Sequence, residues 1–352
     1  MKRSNRRRTQ KSTGVLLVLF VSICMGVVLY SQRVAAEARL VEPSSCGLRD
    51  FRCYAKFYAQ TTYRQNPEAA FKDMKSRYNT DNYVKGECHQ LSHIVGRTAF
   101  KKYGGLASAY EHGDNFCWSG FHHGVIEQAV GALGVKGIKA QANDICKPLA
   151  DKRRYSFDHF NCVHGLGHGF MSVDGYELFA ALKSCDLLSD SWDASSCYGG
   201  VYMENVMVAA RENGTSRYLK PDDLLYPCNA VETSYKEQCY LMQSSYMLQQ
   251  NGYNFAATFG ICARADVDFV STCNQSIGRD ASGSSVSDAV QTKTKCDVAP
   301  NRQALQDCVT GSVKDFVSYF HSDVQARAYC NQYETTIAEV CNSVTTDYYR
   351  VF

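Results

Sequence analysis

From Asp144 onward the cysteines fall in pairs, at 146 and 162, 185 and 197, 228 and 239, 262 and 273, 296 and 308, and 330 and 341. Within pairs the separations are 16, 12, 11, 11, 12 and 11, and the first members recur every 34 to 43 residues. That period belongs to two-helix repeats stacked one on the next. The text between cysteines agrees with it. The stretch FAATFGICARA reads as a short helix, Asp266 as a turn or cap, and VDFVSTCNQSIG as a second helix. Ser191-Trp192-Asp193 and Asp222-Asp223-Leu224-Leu225 are expected to start helices in the same way. Alternating β-branched stretches between two-residue turns are nearly absent. The expected fold is all-α: α-solenoid-like repeats of helical hairpins, each stapled by a disulfide from the end of one helix to the middle of the next. Cys46 and Cys53 are spaced for a tight local bridge, which leaves Cys88 and Cys117 for each other.

The total of 17 cysteines makes a reducing cytosol an unsuitable home. No C-x-x-C occurs, so zinc-ribbon, thioredoxin-type and haem-attachment readings lack their spacing. The odd cysteine is accounted for by Cys24, which lies in GVLLVLFVSICMGVVLY, an uncharged run from Gly14 to Tyr30. Its length suits a short membrane-spanning helix better than a signal-peptide core. Six basic residues and no acid precede it, which orients the N-terminus to the cytoplasm and the remainder outside. The expected organisation is a basic cytoplasmic tail (1–12), a transmembrane signal anchor (13–31), a linker (32–45) and an extracytoplasmic repeat domain (46–352). That domain is His-rich over 88–204 and His-poor over 205–352. The alternative is a secreted form cleaved after Ala36. Without the tail the chain has 32 basic against 35 acidic residues, so nucleic-acid binding loses its electrostatic support.

Eight of the nine histidines lie between His89 and His168. Aligned on cysteines, the segments read CHQLSHIVG from Cys88, CWSGFHHGVIE from Cys117, CVHGLGHGF from Cys162 and CYGGVYMEN from Cys197. Three contain an i,i+4 pair: His89 with His93, His123 with Glu127, and His164 with His168. On a helix each pair shares one face. Glu204, seven residues after Cys197, offers another carboxylate in the fourth segment. With the thiols in disulfides, imidazole and carboxylate are the remaining ligands, and they suit zinc, copper or iron. The expected metal ligands are His89, His93, His123, His164 and His168, with Glu127 and Glu204 as further ligands or general bases. So many groups leave room for two metals, or for one metal with outer partners. Adjacent His122 and His123 point about 100° apart, so only one of them is expected to be a ligand. His112 and His159 are expected at the periphery. Glycines at 120, 124, 165, 167, 169, 199 and 200 fall in the same segments; each costs about 1 kcal/mol in a helix and marks close backbone approach or room for a ligand.

The sequence therefore points to a membrane-anchored metalloprotein, an extracytoplasmic oxidoreductase or hydrolase. The alternatives are a non-catalytic scaffold binding a protein or glycan on its repeat surface, and metal capture without catalysis. Phosphate-loop, nucleophile-elbow, H-E-x-x-H and EF-hand motifs are absent. Asn213-Gly214-Thr215 and Asn274-Gln275-Ser276 are glycosylation sequons. Arg279 to Val286 reads as a flexible loop, which counts against Asp280 as a site residue.

Overall fold

The structure, a computed structural model, describes residues 43–351 except 48, 115, 151–155, 211–215, 286–287 and 321. The basic tail, the apolar segment with Cys24, the linker up to residue 42 and the Asn213 sequon lie outside the described residues. Among the described residues no helix is long and apolar enough to cross a membrane. Regular structure there is helical, apart from one isolated bridge between Lys220 and Asp223.

Among the described residues the chain divides into two compact units, one up to Gln60 and one from Thr61 onward. The first contains a 3-10 turn at Pro43–Ser45, the Cys46–Cys53 bridge and most of α1 (Phe51–Arg64). The second opens with α2 (Pro67–Tyr78), α3 (Asn82–Tyr103), α4 (Leu106–Tyr110) and α5 (Gly120–Ile145). Next come α6 (Phe157–Val173), α7 (Leu178–Cys185), α8 (Ser191–Ala210) and α9 (Thr233–Gln250). The chain continues with α10 (Phe255–Cys262), α11 (Val270–Ser284) and α12 (Ala289–Cys296). It ends with α13 (Arg302–Phe320), α14 (Val324–Cys330) and α15 (Thr335–Val351).

Local chemistry fixes many helix starts. Asn66 accepts from the Ala69 amide with Pro67 at the first helical position, and Asp81 accepts from the amides of Tyr83 and Val84. Ser156, Asn254 and Asp288 cap α6, α10 and α12 through side-chain oxygens. Asp190 does the same for α8, accepting from the Trp192 and Asp193 amides, so the helix expected at Ser191 is present.

The long helices pack in chain order: α3 on α5, α5 on α6, α6 on α8, α8 on α9, α9 on α11, α11 on α13 and α13 on α15. All eight expected cysteine pairs are bridged, with Cα–Cα distances of 5.4–5.8 Å. They place the folded chain in an oxidising compartment. Cys185, Cys262, Cys296 and Cys330 are the last residues of short helices. Their partners sit in the first two turns of the following helix, nearer its start than expected. Fully buried Tyr202, Tyr240, Tyr329, Phe121 and Phe316 fill the interfaces; burying such side chains contributes about 1.5–3 kcal/mol each.

Three expectations are corrected. Asp222-Asp223-Leu224-Leu225 starts no helix; the segment is turns, and α9 begins only at Thr233. Pro227 disfavours helical backbone at Tyr226, and Asp223 instead caps a turn by accepting from the Leu225 amide. Arg279 to Ser284 is not a loop but the last part of α11. Its small residues serve packing: Ala281 and Ser282 are buried, and a Cβ at Gly278 would lie 1.8 Å from the Cys308 carbonyl oxygen. Asn274 is buried and donates to Asp307, and Ser276 is fully buried, so that sequon offers no acceptor in the folded chain.

Candidate metal centre

The histidine segments lie on α3, α5 and α6, with α8 supplying Glu204. These helices approach more closely than side chains would allow. A Cβ at Gly96 would lie 2.0 Å from the Phe121 carbonyl oxygen, and one at Gly124 would lie 2.2 Å from that of His93. Across the α6–α8 contact, a Cβ at Gly167 would meet the Cys197 oxygen at 2.1 Å and one at Gly200 the His164 oxygen at 1.9 Å. The glycines therefore answer to close backbone approach, and the cost in helix propensity is offset by the contact they permit.

Between these helices five imidazoles converge. His89, His93, His123, His164 and His168 are all buried. Ring centroids are 4.7 Å apart for His89–His93, 5.3 Å for His89–His123, 5.0 Å for His123–His164 and 4.9 Å for His123–His168. Three overlapping groups have ligand atoms all within 4.8 Å of one another: His89, His93 and His123; His123, His164 and His168; and Glu127, His168 and Glu204. All seven residues expected from sequence are thus in one place.

Hydrogen bonds fix how the rings are turned. His89 Nδ1 is 2.8 Å from the Cys117 carbonyl oxygen, so it carries the proton and donates. His93 Nδ1 is 2.9 Å from Glu127 Oε1 and donates likewise. With both rings donating from Nδ1, a neutral pair would bring two Nε2 lone pairs face to face at 3.0 Å. Two acceptors at that distance need a cation between them. A metal with bonds of about 2.0–2.1 Å separates two tetrahedral ligand nitrogens by about 3.3 Å. A proton would answer for this pair alone. On the other side, His168 Nδ1 is 2.9 Å from Glu204 Oε2, and His168 Nε2, His164 Nε2 and His123 Nδ1 are buried with no hydrogen-bond partner among the described residues. Buried, unpartnered ring nitrogens are costly unless something binds them.

The electrostatics favour ligand-ready rings. Burial, reinforced by neighbouring imidazoles, holds His89, His123 and His164 well below their ordinary range, in the neutral form that binds metal. Burial pushes the Glu127 carboxyl up, but His93 and Arg97 outweigh it and keep the carboxyl ionised. Arg97 Nη1 lies 2.7 Å from Glu127 Oε2. Imidazole N–H donating to carboxylate, with the other nitrogen free, is the outer arrangement typical of metal-bound histidine.

His122 turns away from His123 and packs edge-on to Tyr110 and Phe121. His112 stacks on Tyr103 at 4.0 Å and bonds Glu68, while His159 bonds Asp193 at 2.9 Å; neither belongs to the three groups. His321 lies outside the described residues. Arg97 and the Cys117 carbonyl were not foreseen. Arg97 had a signal, since it stands four residues after His93 on the same helix face. In the His-poor half, Asp280 accepts from Ser244, Ser245 and Arg279, and burial pushes Asp315 up to about 6. Compared with known proteins, the chain matches no family model, no curated protein and no solved structure.

Proposed function

We propose that this is an extracytoplasmic metalloprotein, anchored by residues 13–31, whose helical repeats hold a transition-metal centre with oxidoreductase activity toward a small diffusible substrate. The observation that carries the metal reading is the convergence of five buried imidazoles, two of them held by carboxylates behind the ring. Copper and iron fit an imidazole-rich centre with redox capacity, and zinc fits the same donors without it.

Two features favour oxidoreduction over hydrolysis. The five histidines are at most 8% exposed, which suits a substrate the size of dioxygen or hydrogen peroxide and not a polymer. Glu127 is engaged by His93 and Arg97, and Glu204 by His168. Both carboxylates therefore act as positioning residues that orient imidazoles, rather than as general bases. The anchor is supported by the apolar run and its basic flank.

The test uses the full chain, purified from an oxidising compartment. Elemental analysis is expected to find copper or iron, and the loaded protein to consume peroxide or dioxygen when given an electron donor. A folded chain that takes up no metal overturns the metal reading. A loaded chain that cleaves activated esters but leaves peroxide and dioxygen untouched overturns the oxidoreductase reading.

A further inference from the structure

We infer that the centre holds two metal ions, one in each of two equivalent half-sites, with His123 shared between them; this rests on the metal reading above. The half-sites are built alike. In one, α3 supplies His89 and His93, and α5 supplies Glu127. In the other, α6 supplies His164 and His168, and α8 supplies Glu204. Both histidine pairs follow closely on a half-cystine, Cys88 and Cys162. In both, the second histidine donates from Nδ1 to the carboxylate of a later helix at 2.9 Å. In both, the first histidine meets backbone at or beside a later half-cystine: His89 Nδ1 lies 2.8 Å from the Cys117 carbonyl oxygen, and His164 interacts with the backbone of Ser196, next to Cys197. A glycine faces that first ring each time: a Cβ at Gly120 would lie 3.2 Å from His89 Nδ1, and one at Gly199 3.3 Å from His164 Nδ1. A single ion needs one such frame; here the whole frame occurs twice.

His123 lies between the frames. Its centroid is 5.3 and 5.6 Å from the first pair and 5.0 and 4.9 Å from the second. It is the one residue common to both three-histidine groups. Imidazole carries nitrogens on two edges, so a central ring whose N–H proton is displaced to water as the second ion binds can offer one nitrogen to each ion. Its Nδ1 is buried without a hydrogen-bond partner among the described residues. Glu127, which Arg97 also pairs, and Glu204, whose oxygens lie within 4.8 Å of each other, place one carboxylate in each half-site.

Metal-stripped full chain is titrated with zinc(II) or copper(II) alone and the bound metal counted after dialysis. Two ions per wild-type chain are expected. His89→Gln/His93→Gln and His164→Gln/His168→Gln should each retain one, and His123→Gln should weaken both by tenfold or more. One ion per wild-type chain overturns the two-ion inference and leaves the metal reading standing; none overturns both. A half-site variant that loses both ions with helicity and all eight bridges intact also overturns the inference. If a variant fails to fold, the wild-type count decides. With copper(II) in both half-sites, a shared His123 couples the spins, and the integrated paramagnetic signal falls well below two spins per chain. Two full, uncoupled spins overturn the sharing of His123.

Discussion

Gly124 and Gly131 lie two turns apart on α5, and alanine at the two positions should act in opposite directions. At Gly131 a Cβ meets nothing within 4 Å, so Gly131→Ala gains about 0.5–1 kcal/mol from reduced unfolded-state freedom. At Gly124 a Cβ would lie 2.2 Å from the His93 carbonyl oxygen and 2.7 Å from its Cα. Carbon and carbonyl oxygen rest about 3.3 Å apart, so α5 and α3 must separate by about 1 Å. Both contacting groups are backbone, so no side chain can rotate away. The strain belongs at the upper end of the 1–3 kcal/mol typical of overpacking. After the alanine gain the net loss is about 2 kcal/mol, which lowers the melting midpoint of a folded part this size by about 3 °C. The same movement stretches the His93–Glu127 bond from 2.9 Å to about 3.9 Å, beyond hydrogen-bonding range. Metal affinity should therefore fall with stability in Gly124→Ala and stay unchanged in Gly131→Ala. Thermal unfolding of the oxidised full chain, with metal titration of both variants, is the assay. Equal midpoints, or full metal affinity in Gly124→Ala, would refute the reasoning that this glycine sets the site's spacing.

Glu204→Gln keeps an acceptor for His168 but removes the charge, and metal affinity measured by competition with a chelator should drop about 10–100-fold while all eight bridges form. Acid should destabilise the metal-free protein. His89, His123 and His164 are held well below the ordinary value of 6.5, so below about pH 6.5 the unfolded chain binds protons that the folded chain refuses. Their contribution is complete above that pH and is lost as pH falls toward the lowered folded values. The slope reaches about 1.4 kcal/mol per pH unit for each histidine, and urea titrations from pH 7.5 down to 5 read it; a flat profile would contradict the neutral assignment. Thiol titration of the denatured, unreduced full chain should find one reactive thiol, Cys24, and reduction should expose all 17. Removing the bridge between Cys185 and Cys197, which closes 12 residues, should cost about 3 kcal/mol in the urea-unfolding free energy.

Much of this architecture was legible because disulfide pairing and helical period leave regular marks. The cysteine spacing anticipated every bridge, and the i,i+4 histidines anticipated which side chains share a face. What sequence hid were contacts between a side chain and a backbone distant in the chain. The Cys117 carbonyl that orients His89 has no side-chain signature. The small residues near Asp280 were ambiguous for a physical reason: glycine and serine serve flexible loops and tight helix contacts equally well, and only the 1.8 Å approach at Gly278 separates the two. Asp222 and Asp223 look like helix caps in isolation, and Pro227 overrides them. Arg97 was readable in principle, but its importance depends on Glu127 arriving from another helix.

X-ray absorption at the metal edge of the full chain, isolated under oxidising conditions, tests the central claim most directly. A shell of nitrogen or oxygen scatterers at about 2.0–2.1 Å, with the outer-shell pattern of several imidazoles and no sulfur, is the predicted result. A folded, fully bridged protein that holds no metal, or a metal bound through sulfur, would contradict it.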